Sequence, residues 1–120
     1  MGGDHAPDAT LHGAILAAAK LDDTDRLFLF GDKELIRSKL EEAGADFVDF
    51  EIVHAPEVIG MSDQPIKAFT QKPHSSISVG FHFLKEGRID AFASPGNSGA
   101  MVVGSMYSVE MIQGIIRPCT

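Results

Sequence analysis

Short apolar runs bounded by turn residues alternate along this chain with stretches whose apolar side chains recur every three to four positions. That alternation of periods constrains the fold more than any other feature, because runs of the first kind suit buried strands and stretches of the second kind amphipathic helices. Pro7 fits the first turn of a helix, where its missing N–H costs nothing, and Leu11, Ala14, Ile15, Ala18 and Ala19 follow on one face, predicting a helix over 7–20. RLFLF predicts a strand over 26–30 buried on both faces. Gly31 breaks it, Asp32 is a good N-cap, and Leu35, Ile36 and Leu40 mark a helix that ends at Gly44. FVDFEIVHA then resumes a period near two and reaches Pro56, so a second strand should end near His54 or Ala55.

PEVIGMSDQP is the longest irregular stretch. After it, a short helix is expected from Pro65 to Gln71, and Ser75 should cap another that carries Ile77, Val79, Gly80, Phe83 and Leu84, with Phe81 and His82 off the main stripe and Gly87 at the end. IDAFAS, at 89–94, reads as a further buried strand, PGNSG as a glycine-rich turn, and AMVVGSMYSVEMI as an apolar helix with Gly114 beyond it. Repeated βα order predicts an α/β fold with a mainly parallel sheet and helices on its faces. At 120 residues, with no internal repeat or linker, residues 1–120 read as one domain or a piece of one.

Charge and cysteine usage narrow the function. Ten basic and seventeen acidic side chains give a net charge of −7, and the basic residues are scattered, which argues against nucleic acid as a partner. Cys119 is the only cysteine, so a disulfide framework and a multi-cysteine zinc site are excluded, and a reducing cytoplasm fits best. MGGDHAPD does not read as a signal peptide, and no apolar run approaches the roughly 18 residues of a membrane span.

The sharpest local feature is Ser94-Pro-Gly-Asn-Ser-Gly99, between an expected strand and an apolar helix. Gly96 and Gly99 allow close backbone approach, Ser94, Asn97 and Ser98 offer donors, and the helix start adds free N–H groups, so an anion would bind there. A tight turn capped by Asn and Ser accounts for the same residues equally well. The loop is neither GxGxxG nor GxxxxGK[ST], which removes the common nucleotide fingerprints. Met1-Gly-Gly-Asp-His-Ala-Pro7 is a second glycine-rich segment that runs into a helix, although two glycines at a terminus are most often just flexible. Lys72, His74, Ser75 and Ser76 offer a second anion site, for phosphate or a phosphopantetheine arm, with helix capping as the simpler account. His54, at the end of an expected strand, is well placed for a site, although a lone His there is more often a hydrogen-bonded structural residue, and Glu57 and Asp63 could serve as base or metal ligand but match no metal-ligand spacing.

MGGDHAP at 1–7, IVHAPEVIGMSDQP at 52–65, KPHSSISVG at 72–80 and SPGNSGA at 94–100 together resemble the bacterial PlsX phosphate acyltransferases. The resemblance covers the whole chain but only the amino-terminal portion of a family member. It implies a three-layer α/β/α fold of the isopropylmalate dehydrogenase type, here truncated at both ends. It also implies conversion of long-chain acyl-ACP and inorganic phosphate to acyl phosphate and ACP, without metal or organic cofactor. The product would feed a membrane glycerol-3-phosphate acyltransferase, so the implied setting is phospholipid synthesis in the cytoplasm, by a homodimer compatible with peripheral contact at the inner face of the membrane.

Carried over residue by residue, the resemblance implies catalytic roles for Asn97, Ser98, Asp4 and His5. It implies phosphate or substrate binding by Gly2, Gly3, Ser94, Gly96, Gly99, His74, Ser75 and Ser76, with Gly2 to His5 as the other wall of the cleft. Asn97, Ser98 and the N–H groups of 96–99 would then supply oxyanion donors, and removing the Asn97 side chain should slow turnover by roughly 10² to 10³. The family pattern departs in two places: a strand ordinarily precedes MGGD, and Pro95 and Ser98 stand where Ala and Thr are commoner. The 120 residues expressed alone are therefore expected to be poorly stable and inactive. A short-chain phosphate acetyl- or butyryltransferase using acyl-CoA, and a non-catalytic anion-binding domain, are the alternative readings.

Overall fold

A computed structural model describes residues 2–22, 24–109 and 112–114. Its elements follow the expected order: α1 (Asp8–Ala18), β1 (Leu27–Gly31), α2 (Lys33–Glu42), a 3-10 turn (Phe47–Asp49), β2 (Phe50–His54), α3 (Pro65–Gln71), α4 (Ser76–Lys85) and α5 (Ser98–Ser108). Local chemistry sets the boundaries. The Asp32 carboxylate accepts from the N–H groups of Glu34 and Leu35, both at 3.0 Å, which starts α2. Gly44, at φ +65°, supplies the left-handed conformation that stops it.

β1 and β2 pair in parallel, with Leu27 opposite Phe50 and Gly31 opposite His54, and the Ala55 N–H extends the ladder to the Gly31 carbonyl at 2.7 Å. Alternate residues point to opposite faces of a strand. Leu27, Leu29, Phe50 and Ile52 therefore pack with Leu11 of α1 and with Ile36 and Leu40 of α2. Phe28, Phe30 and Val53 pack on the other side with Phe83 of α4 and with Ile89. Helices thus cover both faces of a parallel pair, as an α/β fold requires. A third cluster, of Ile59, Ala68, Ile77, Phe81 and Ala100, ties the irregular 55–64 stretch to α3, α4 and α5.

Two sequence expectations need correction. Residues 89–94 form no strand and join no ladder among the described residues, and the chain bends at Asp90. Side chains hold them instead: Ile89 is buried, and the Phe92 ring meets Phe30 at 5.7 Å and Phe81 at 5.2 Å, edge to face. Asp90, Ala91 and Ala93 are exposed, so the run is half-buried and not covered on both sides.

Phe81 is the second correction. It is buried, because α4 lies between the sheet and the α3–α5 pair and needs an apolar surface toward each. The ring fits where Gly104 of α5 has no side chain, since a Cβ there would lie 2.3 Å from it. His82 is exposed as expected and approaches Glu86 at 3.2 Å. Cys119 and the end of the last expected helix, at 110–111, lie outside the described residues.

Candidate functional site

The 94–97 loop enters α5 through two side-chain caps. The Ser94 hydroxyl accepts from the Gly96 N–H at 3.2 Å and tightens the turn at Pro95. Asn97 is the N-cap of α5, and its Oδ1 accepts from the Ala100 N–H at 2.9 Å. The Met101 N–H goes to the Asn97 carbonyl. The N–H groups of Ser98 and Gly99 have no acceptor among the described residues. They lie at the positive end of the helix dipole, where an anion is stabilised.

The amino-terminal glycines lie directly on this loop. A Cβ on Gly2 would come within 2.8 Å of the Gly96 Cα and 3.8 Å of the Ser94 hydroxyl, so two backbones meet with no room for a side chain. Gly3 has φ +102°, and a Cβ there would be 3.1 Å from the Pro95 carbonyl oxygen. Gly2, Gly3, Ser94 and Gly96 are thus in one place. Asp4 and His5 follow as exposed residues leading into α1, and Gly99 is pressed against Pro65 at the start of α3.

Asn97 also reaches across the molecule. Its carboxamide N–H groups face the carbonyls of Gly60, Met61 and Asp63 at 3.0, 3.3 and 3.1 Å. Asn97 is buried, and both polar atoms of its side chain are engaged, Nδ2 by the 60–63 loop and Oδ1 by the Ala100 N–H. The loop is held from the other side by Lys72, whose Nζ lies 2.7 Å from both the Val58 carbonyl and the Asp63 carboxylate. Asp63 further accepts from the Gly60 N–H at 2.9 Å. The hydrogen bonds from Lys72 and Gly60 hold the Asp63 carboxyl below its ordinary pKa.

His74, Ser75 and Ser76 adjoin the same loop at its start. The His74 N–H donates to the Glu57 carboxylate at 2.8 Å, and Glu57 returns its own N–H to the His74 carbonyl at 3.3 Å. Ser75 is fully buried, caps α4 by accepting from the Ser78 N–H, and donates to the Ser78 hydroxyl at 2.9 Å. Ser76 is buried in the first turn of α4. These residues are gathered as helix cap and loop anchor. His54, expected to be structural, accepts the Lys33 N–H at Nδ1, 3.2 Å away.

The anchoring roles of Gly60, Asp63 and Lys72 are not visible in the sequence. The one local signal is the Gly-x-x-Asp spacing of 60–63, which allows the carboxylate to fold back on the glycine amide. Surface cavities of about 350 and 230 Å³ lie elsewhere, lined by Lys33, Arg37 and Phe47 and by His12, Lys39 and Glu42. Among the described residues no group of three or more His, Cys, Asp or Glu side chains could hold a metal ion.

The four segments that carry the sequence resemblance therefore form one connected structure: 2–3 on 94–96, Asn97 on 60–63, and Glu57 on 74–75. A family model described as "Fatty acid synthesis protein" matches residues 1–120. The chain belongs to this family. Among its relatives, the phosphate acyltransferase of Herpetosiphon aurantiacus is 42% identical over 98% of this chain and 32% of its own length. The phosphate acyltransferase of Caldicellulosiruptor bescii is 42% identical over 98% and 35%, and that of Clostridioides difficile 41% over 99% and 34%. The chain spans about a third of the length of these relatives.

Proposed function

We propose that these residues form the phosphate-holding part of a phosphate acyltransferase that makes acyl phosphate from long-chain acyl-ACP and inorganic phosphate. The observation that carries this reading is the contact of the Gly2 and Gly96 backbones beside the Ser98 and Gly99 amides, which have no acceptor among the described residues. Phosphate is already an anionic nucleophile at neutral pH, so it needs positioning and a shielded approach more than a strong base. A phosphate oxygen attacks the thioester carbonyl carbon, the carbonyl oxygen carries the negative charge of the tetrahedral intermediate, and the C–S bond then breaks to release the ACP thiol.

In this reading the Ser98 and Gly99 amides and the Ser98 hydroxyl face the anionic oxygens, and Ser94 shapes the turn. Gly2 and Gly3 admit the phosphate by close backbone approach, and the exposed Asp4 and His5 stand at the rim, where the departing thiolate takes its proton. Asn97 acts by orienting α5, while Ser75, Ser76 and His74 support the 57–63 loop. No metal or organic cofactor takes part. ACP, a homodimeric complete protein, and action in the cytoplasm beside the membrane belong to the same proposal. No helix among the described residues is long and apolar enough to cross a membrane.

Hydroxylamine trapping with the complete gene product tests the reading. Acyl hydroxamate that requires both long-chain acyl-ACP and phosphate is the expected result. Formation only from short-chain acyl-CoA would reassign the donor, and no product from either donor would leave an anion-binding domain without this chemistry.

A further inference from the structure

We propose that Lys72 is a positioning residue for the amino terminus of α5, acting through Asp63 and Gly60 on Asn97; this rests on the functional reading of that terminus given above. The chain of contacts is continuous. Lys72, at the end of α3, places Nζ 2.7 Å from the Val58 carbonyl and 2.7 Å from Asp63 Oδ2. The same Oδ2 accepts the Gly60 N–H, and the Asp63 N–H returns to the Gly60 carbonyl at 3.1 Å, so the 60–63 turn is closed on both sides. The Gly60 carbonyl then receives the Asn97 carboxamide at 3.0 Å. Three carbonyls of this turn fix the plane of that carboxamide, and the plane fixes where Oδ1 meets the Ala100 N–H.

Lys72 also joins this turn to the start of α4. Its main-chain carbonyl accepts from the Ser75 N–H at 3.1 Å and from the Ser78 hydroxyl at 3.0 Å. The ammonium thus registers the 58–63 turn against the start of α4, and Asn97 passes that register to α5. Both members of the ion pair have side chains 35% exposed. A pair so exposed adds little to global stability. Its effect is therefore expected in the geometry of the turn and in kinetics more than in the melting temperature.

The test uses the complete gene product with Lys72→Met, which keeps the stem and removes the charge and donors, and Lys72→Arg, whose fork can serve a carbonyl and a carboxylate together. Lys72→Met should lower kcat/KM for phosphate by about 10- to 100-fold, the range of a small misplacement transmitted from a distance. Lys72→Arg should recover most of it. Hydrogen exchange is the readout that needs no turnover: amides of 58–63 and of Ala100 should exchange faster in Lys72→Met, while those of β1 and β2 stay unchanged. Wild-type exchange in Lys72→Met would overturn the proposal, whether or not the wild-type protein makes acyl phosphate. Lost phosphate affinity with unaltered exchange would also overturn it, by making Lys72 a direct phosphate ligand. A wild-type protein without activity defeats the functional reading alone, since exchange still decides the positioning role.

Discussion

The carboxamide nitrogen of Asn97 lies 3.0 Å from the carbonyl oxygen of Gly60, 37 residues earlier in the chain. With its side-chain oxygen on the Ala100 N–H, Asn97 joins an irregular loop to the start of a helix whose Ser98 and Gly99 amides have no acceptor among the described residues. The 60–63 turn belongs to no helix or strand, so this connection helps to fix its place beside α5.

Asn97→Ser and Asn97→Ala should differ in an informative way. Serine caps a helix about as well as asparagine, so Asn97→Ser loses only the links to 60–63, whereas Asn97→Ala also loses the cap, a further cost of about 1 kcal/mol. Both leave the Gly60, Met61 and Asp63 carbonyls short of a donor. Turnover should therefore fall by at least about tenfold in each, since a small misplacement of reacting groups suffices for that. Full activity in Asn97→Ser would show that the loop connection has no part in catalysis.

Substitution of the two touching glycines should be unequal. An added methyl at Gly2 meets backbone at 2.8 Å, whereas one at Gly96 meets the Ser94 hydroxyl at 3.2 Å and atoms of Gly2 and Ile77 at 3.5 Å, contacts that small shifts relieve. Gly2→Ala should raise the KM for phosphate more than Gly96→Ala does. Steady-state kinetics with phosphate as the varied substrate check the order, and the reverse order would contradict the contact.

Acid should loosen the 58–63 turn. The folded-state pKa of Asp63 is lowered, first by the hydrogen bond from Lys72 and then by that from Gly60. The ionised carboxylate therefore contributes stability above the unfolded value of about 3.9, and this is lost as pH falls through the lower folded value. Exchange protection of the Gly60 amide should hold from neutral pH down to about 4 and decline below it. Asp63→Asn should remove that acid limb. A limb that persists in the variant would assign it to another carboxylate.

The 120 residues produced alone should associate or melt without a sharp transition. Val48, Tyr107 and Ile112 are 81%, 66% and 78% exposed, and residues 89–94 join no ladder among the described residues. Exposed apolar surface of this kind favours association. Light scattering and a thermal scan give the answer, and a monodisperse, cooperatively melting monomer would contradict the expectation.

The sequence revealed most of the elements because their signals are local. Asp32 and Ser75 are caps whose side chains bond within three residues, and Gly44 and Gly87 end their helices at positive φ. Phe81 lies off the expected stripe because a single apolar stripe is the signature of a helix with one buried face, and α4 has two. Residues 89–94 carry a strand's composition, yet pairing depends on a neighbour that composition cannot supply. At the site, the glycine-rich character of 1–3 and 94–99 was legible, but the engagement of Asn97 with 60–63 was not, since no local pattern marks a contact across 37 positions.

The most direct test of the central claim is thiol release from long-chain acyl-ACP by the complete gene product, followed with and without inorganic phosphate. The account predicts release only when phosphate is present, with one acyl phosphate formed for each thiol freed. Release at the same rate without phosphate would mean that water, not a held phosphate, attacks the thioester, and would contradict it.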